Sequence, residues 1–226
     1  MIRSIGSYST IVFDCDGVIL DSNRVKSDAF RVVALPWGEG AANDLVDYHM
    51  AHGGVSRYSK FSYFLETILP KYLPSAIPHI YSSRMDELLS RYSQAVYDGL
   101  MTCSISEGLE SLREQTSSSN WCIVSGGDQH ELRNLFSQRR LDHLFDGGIY
   151  GSPDNKEMIL SRELAEGTIR LPALFIGDSR YDHVVSEGAG LDFIFMSSWT
   201  DVINWPEYVS ANHLRSIHSL SDLLQA

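Results

Sequence analysis

The sequence predicts an α/β fold, a parallel sheet covered on both faces by helices and interrupted after its first strand by a helical insertion. Three observations carry this reading. Short apolar runs, each closed by a small or acidic residue, recur at Thr10–Phe13, Trp121–Val124, Ala173–Ile176 and Asp192–Met196, the pattern of buried strands. Helical patterns at Asp128–Gln138 and Lys156–Ala165 lie between the later runs, and strand alternating with helix implies parallel pairing. The stretch 21–102 has helical periodicity and no convincing strand.

Taken in order, Met1–Thr10 carries one arginine and lacks the apolar stretch of a signal peptide, and no later window reaches membrane-spanning length, so a cytoplasmic protein is expected. The strand Thr10–Phe13 follows. In the insertion, Phe61, Phe64, Leu65 and Ile68 share one helical face, and Met85, Leu88, Leu89, Tyr92 and Val96 share another; both stripes read as core. A helix over Ser104–Glu114, with Ser104 and Glu107 at capping-box spacing, resumes the main domain. The expected division is therefore a core of residues 1–20 and 103–226 around an insertion of residues 21–102. Asp128 and Glu131 have capping-box spacing at the start of the next helix, and Ser117–Asn120 reads as a connecting turn.

Composition narrows the function classes. The 226 residues, 43% hydrophobic and 21% charged, fall in the globular range. Eighteen Lys and Arg against 29 Asp and Glu give a net charge of -11, and the basic residues do not cluster, which argues against a nucleic-acid partner. Cys15, Cys103 and Cys122 form no CxxC pair and read as small buried hydrophobes in a reducing compartment.

The first strand ends in Asp14-Cys15-Asp16-Gly17-Val18, two carboxylates at the carboxyl end of a buried strand, where open α/β sheets bind ligands. Held together they raise one another's pKa unless a cation or donors stabilise them, so a metal is the natural partner. A calcium loop does not fit, because its glycine would stand five residues after the first Asp and its twelfth position here is Val25. A second pair follows Ala173–Ile176 in Gly177-Asp178-Ser179-Arg180-Tyr181-Asp182, with Asp182 one helical turn beyond Asp178; Asp178 alone could be a helix N-cap. Ser125-Gly126-Gly127-Asp128 offers a hydroxyl and a permissive turn into a helix whose amides can receive phosphate. Lys156 opens a further helix and in isolation reads as a solvated lysine. In the insertion, Arg57 lies in the same angular sector as Phe61, Phe64 and Ile68, either passing the stripe to solvent or facing a cleft; Lys60 lies on the flank.

This ordered set, strand-DxDGV, helical insertion, strand-SGG, lysine and strand-GDSxxD, resembles the haloacid dehalogenase superfamily over nearly the whole chain. The resemblance implies a Rossmann-like core with an inserted α-helical cap and a Mg2+-dependent phosphatase acting on a small phosphorylated metabolite of sugar-phosphate type. By the same resemblance Asp14 is the nucleophile that forms an aspartyl-phosphate, and Asp16 is the general acid and base. Asp14, Asp178 and the Asp16 backbone carbonyl are metal ligands, with Asp182 supporting the water shell. Ser125 and Lys156 hold the phosphoryl group, with backbone amides after Asp14 and Ser125, in the segments of Gly17 and Gly126, on its oxygens. The GVSR stretch looks like the cap segment of sugar-phosphate mutases and phosphatases, which places Arg57, and more weakly Lys60, at the substrate. Glu157 stands where many relatives carry proline and Gly126 where asparagine is frequent; both departures leave the charged residues in place. Asp16 separates the chain from the dehalogenases, which lack an acid at that position. A phosphomutase would use the same residues. A phospho-accepting signalling domain would need neither the insertion nor an acid at Asp16; a silent binding protein is a further alternative, and both predict no turnover.

Overall fold

The computed structural model describes residues 3–73 and 81–224. Six strands form one parallel sheet: β1 (Thr10–Phe13), β2 (Asn120–Asp128), β3 (Ile149–Ser152), β4 (Ala173–Gly177), β5 (Asp192–Met196) and β6 (Arg215–Ile217), in the order β3-β2-β1-β4-β5-β6. All four residues of β1 are buried, and the strand lies between β2 and β4, with Phe13 beside Ile123 and Ile176. Such two-sided burial explains the uninterrupted apolar runs.

After β1 the chain leaves the sheet for α1 (Asn23–Ala34), α2 (Glu39–Ala51), α3 (Arg57–Tyr63), a π-helical turn (Phe64–Ile68), α4 (Leu69–Tyr72) and α5 (Tyr81–Thr102). These helices enclose their own apolar cluster, in which Phe30 of α1 meets Phe61 of α3 and Tyr92 of α5 at ring-centroid distances of 5.2 and 4.5 Å. The anticipated stripe of Phe61, Phe64, Leu65 and Ile68 is buried there, yet the backbone beneath it is not one α-helix. Pro70 has no N–H to give the Glu66 carbonyl, and the turn before it is wound as a π-helix.

The chain returns through α6 (Leu109–Gln115) and then α7 (Gln129–Gln138), which cover one face of the sheet; α8 (Lys156–Glu166), α9 (Arg180–Gly188) and α10 (Trp205–Ala211) cover the other. The two-residue alternation sorts the strands between them: Ile11, Phe13, Trp121 and Ile123 face the first layer, Val12, Cys122 and Val124 the second. Among the described residues no helix is long and apolar enough to cross a membrane.

Three further elements differ from the sequence expectation. β3 and β6 were not anticipated, the first because Gly151 breaks its pattern, the second because it is three residues long and partly polar. Gly151 is needed there, since a Cβ would come within 2.3 Å of the Gly127 carbonyl oxygen on β2. The helix expected from Ser104 begins at Leu109 instead; Ile105 pairs with Leu20, and Gly108 at φ +85° makes the turn into α6, so Ser104 and Glu107 cap nothing.

Trp121 is fully buried against Phe13 and Phe145, and its Nε1 donates to Thr116 Oγ1 at 3.0 Å. Trp121→Ala should therefore cost about 3–5 kcal/mol of unfolding free energy, read as a lower urea midpoint with an unchanged slope.

Candidate active site

Between β1 and β4 the strand order reverses, so their carboxyl ends open a crevice at the topological switch point. Asp14 follows β1 and Asp178 ends the turn after β4. With Asp182 on the first turn of α9, each offers a carboxylate oxygen within 4.8 Å of the others, and all three are buried. One cation stands among them. Lys156, only 1% exposed, donates to Asp182 Oδ1 at 2.5 Å and lies 2.9 Å from Asp14 Oδ2, so it is not the solvated lysine it resembles in isolation. Its placement follows from Asn155, whose side chain accepts from the Met158 amide and starts α8 at Lys156.

The cap of α9 is Ser179, not Asp178: Ser179 accepts from the Asp182 amide, and Asp182 Oδ2 takes the Ser179 amide and hydroxyl at 3.1 and 2.6 Å. Asp178 is thereby left free of capping and is reached by Asn23 Nδ2 at 2.8 Å, which also donates to the Trp199 carbonyl. Gly17, at φ +74°, lies so close that a Cβ would fall 2.1 Å from Asp178 Oδ2. Burial, and then the neighbouring Asp14 and Asp182, push the Asp178 carboxyl well above the usual range; burial likewise raises Asp14 against the pull of Lys156. Three acids against one lysine leave this end of the crevice short of positive charge.

Asp16 has the opposite environment. Its carboxylate turns toward the insertion, accepting from Ser22 Oγ at 2.6 Å and from Lys26 on α1. Burial works to raise its pKa, but the Lys26 ammonium and the two hydrogen bonds override it and hold the group below the ordinary carboxylate range. Ser125 is fully buried within β2, which runs on irregularly through Gly126 and Gly127 to Asp128 where a turn was expected; its Oγ accepts from the Gly127 amide at 3.1 Å, leaving its proton available. At Gly126 the insertion touches the core backbone to backbone, for a Cβ would lie 2.3 Å from the Gly54 carbonyl oxygen.

The insertion closes the crevice into a cavity of about 60 Å³, walled by Asp14, Asp16 and Asp178 below and by Arg57, Lys60 and Tyr92 above. Ser125 and Lys156 lie behind this wall. Arg57 does not run to solvent: it pairs with Glu131 of α7, donates to Ser93 Oγ at 3.0 Å and covers the Tyr92 ring. Lys60, expected on the flank, is 2% exposed and sits 2.7 Å from His49 Nδ1; burial and Lys26 draw its pKa down to about 7. Sequence reasoning missed Asn23, Lys26, His49 and Glu131. The first two had a signal, since they lie three apart on the helix that directly follows the DxDGV motif; His49 and Glu131 had none.

The profile of the family described as haloacid dehalogenase-like hydrolase matches residues 11–196. No curated protein matches the chain. Among solved structures, the chain is similar to one described as a predicted phosphoglycolate phosphatase from Haemophilus somnus 129pt (16% identity, 96% of this chain and 97% of that one, TM-score 0.73). It is also similar to a β-phosphoglucomutase from Clostridium difficile (19%, 95% and 92%, TM-score 0.71) and to a predicted phosphatase from Clostridium acetobutylicum (15%, 96% and 96%, TM-score 0.67). At these identities the likeness establishes the fold.

Lys156 is the internal counter-charge of the acid cluster, so Lys156→Met should destabilise the metal-free protein by about 3 kcal/mol at neutral pH. Losing the cation raises the folded-state pKa of carboxyls already raised above their unfolded values. The folded variant then binds more protons than the unfolded chain, and its stability falls as pH rises. Urea unfolding of variant and wild type from pH 5 to 8 should show a deficit that widens with pH; a constant deficit would contradict the role.

Proposed function

The chain belongs to the haloacid dehalogenase-like hydrolase family, and from that premise we propose that it is a Mg2+-dependent phosphatase that hydrolyses a small phosphorylated metabolite, of sugar-phosphate type, through an aspartyl-phosphate on Asp14. The observation that carries this reading is the contrast within one strand end. Asp14 faces a lysine and two further acids, whereas Asp16 faces a hydroxyl and a lysine on the insertion side. One carboxylate is set to meet a phosphorus atom and the other to meet the departing oxygen.

The cluster fits the metal on its own chemistry: three buried carboxylates present only oxygen, a donor set suited to a hard divalent ion, and their charge exceeds that of the one lysine among them. Asp14, Asp178 and the Asp16 carbonyl would hold Mg2+. Asp182, whose two oxygens are engaged by Lys156 and Ser179, would act on its water shell. When bound, the ion supplies neutralisation of the phosphoryl oxygens and of the acids themselves.

The remaining steps belong to the chain. A carboxylate oxygen of Asp14 attacks phosphorus in line while the bond from phosphorus to the alcohol oxygen breaks, and Asp16 gives that oxygen its proton. Asp16, now a carboxylate, takes a proton from water whose oxygen attacks the phosphorus, releasing inorganic phosphate and Asp14. Lys26 and Ser22 hold Asp16 in its base form, so the acid form requires Asp16 to leave Lys26 and take up a proton. The free proton of Ser125 and the ammonium of Lys156 hold phosphoryl oxygens, and the amides after Asp14 and Ser125 serve the others.

A phosphate-release screen over sugar, polyol and nucleotide monophosphates, with and without Mg2+, tests the reading. Release is expected from small monoesters only, abolished by chelation and lowered at least about 1,000-fold by Asp14→Asn with the fold retained. Conversion to an isomeric sugar phosphate without release would select a phosphomutase instead, and an active Asp14→Asn would remove the nucleophile. Metal binding has a separate readout: millimolar Mg2+ should raise the melting temperature of the wild type by several degrees, and the shift should vanish in Asp178→Asn.

A further inference from the structure

Lys26, Arg57 and Lys60 line the cleft and Lys156 lies behind it, and three of these cations have acid partners: Lys156 has Asp14 and Asp182, Lys26 has Asp16, and Arg57 has Glu131. Lys60 is different. Among the described residues no carboxylate lies within the 4.0 Å ion-pair distance of its ammonium, although the group is almost wholly buried and lines the cavity. Asp201 lines the same cavity but stands beyond that distance. Among the described residues the single hydrogen-bond partner of the Lys60 ammonium is His49 Nδ1, and the Phe30 ring lies beneath it at 5.6 Å. His49 is itself incompletely satisfied: burial, with Lys60 and Lys26 nearby, keeps the ring neutral, and its buried Nε2 has no partner. With Nδ1 accepting from Lys60, Nε2 carries the hydrogen.

The cleft wall thus contains donors on Lys60 and His49 that lack acceptors, in a place where an unmet donor or an unpaired ammonium is costly. They belong to α3 and α2 of the insertion, across the cleft from Asp14 and Lys156, and so face the alcohol portion of a bound ester. We propose that Lys60, oriented by His49, binds a second anionic group on the leaving alcohol, so that the substrate is a short phosphate monoester carrying a carboxylate or a further phosphoryl group. The inference rests on the phosphatase reading for the position of the ester, and on the buried, unpaired ammonium for the charge.

Calorimetry with the full chain in Mg2+ tests this with three phosphonates that cannot be hydrolysed as esters: phosphonoacetate, methylenediphosphonate and ethylphosphonate, carrying a carboxylate, a second phosphoryl-type group and no second anion. The wild type should bind one or both of the probes with a second anionic group at least about tenfold more tightly than ethylphosphonate, and which one names the group. In Lys60→Met the preference should shrink to within about twofold, whereas Lys60→Arg should retain it. Lys60→Met removes an unpaired buried charge and should melt no lower than the wild type; Lys60→Gln is the second neutral variant. A wild type without the preference, or a neutral variant that keeps it, overturns the proposal. Hydrolysis of p-nitrophenyl phosphate by the same preparation reports on the phosphatase reading separately. Turnover without probe preference removes only the Lys60 assignment, and probe preference without turnover removes only the phosphatase.

Discussion

The molecule is organised around a shortage of positive charge at one point of its sheet. Asp14, Asp178 and Asp182 come from three separate stretches of chain, yet the sheet order and two helix starts bring them together with Lys156 as the single internal cation. Charges so deeply buried are costly unless matched, and on the proposed reading the unmatched remainder is what a bound cation would neutralise. The rest of the core serves this cluster. β1 and β4 position Asp14 and Asp178, the Ser179–Asp182 capping box fixes the turn between them and α9, and Asn155 starts α8 where Lys156 can reach both acids.

Much of this was legible in the sequence because it was written in local signals. The four central strands are apolar runs, and the ends of β1 and β4 carry Asp14 and Asp178, so the fold and the core half of the site emerge from the same stretches. Weak or absent local signals account for the misses. β3 is broken by Gly151 and β6 is short; α6 is delayed by Gly108; α3 gives way to a π-turn where Pro70 removes a donor. The insertion half of the site was less legible for a physical reason. Lys26, His49 and Lys60 come from three helices and acquire their meaning only when the insertion packs over the crevice, where polar side chains become as buried as core residues. Spacing can place Lys60 on the edge of a helical stripe; it cannot tell that the neighbouring surface is another helix instead of water.

The insertion and the core are also linked through polar contacts. Arg57 reaches Glu131 on α7, Ser93 of α5 donates to the same carboxylate at 2.5 Å, and Tyr58 donates to Asp128 at 2.8 Å. Asp128 is simultaneously the N-cap of α7, accepting from the Glu131 amide at 3.0 Å. The segment that follows Ser125 is therefore both part of the cavity wall and the place where the insertion is fastened. Any displacement of α3 or α5 bears on α7, which ties the insertion side of the cavity to the core side.

The meeting of Gly126 with the Gly54 carbonyl sets a limit of another kind. Side chains can rotate out of the way of a ligand, but here two stretches of main chain already touch, with no room for even one added methyl. At this point the chamber is bounded by peptide groups, whose positions are tied to β2 on one side and a turn on the other. Changes in ligand choice over evolutionary time would have to come from the chemistry of the walls, since the height of the ceiling at this point cannot be lowered.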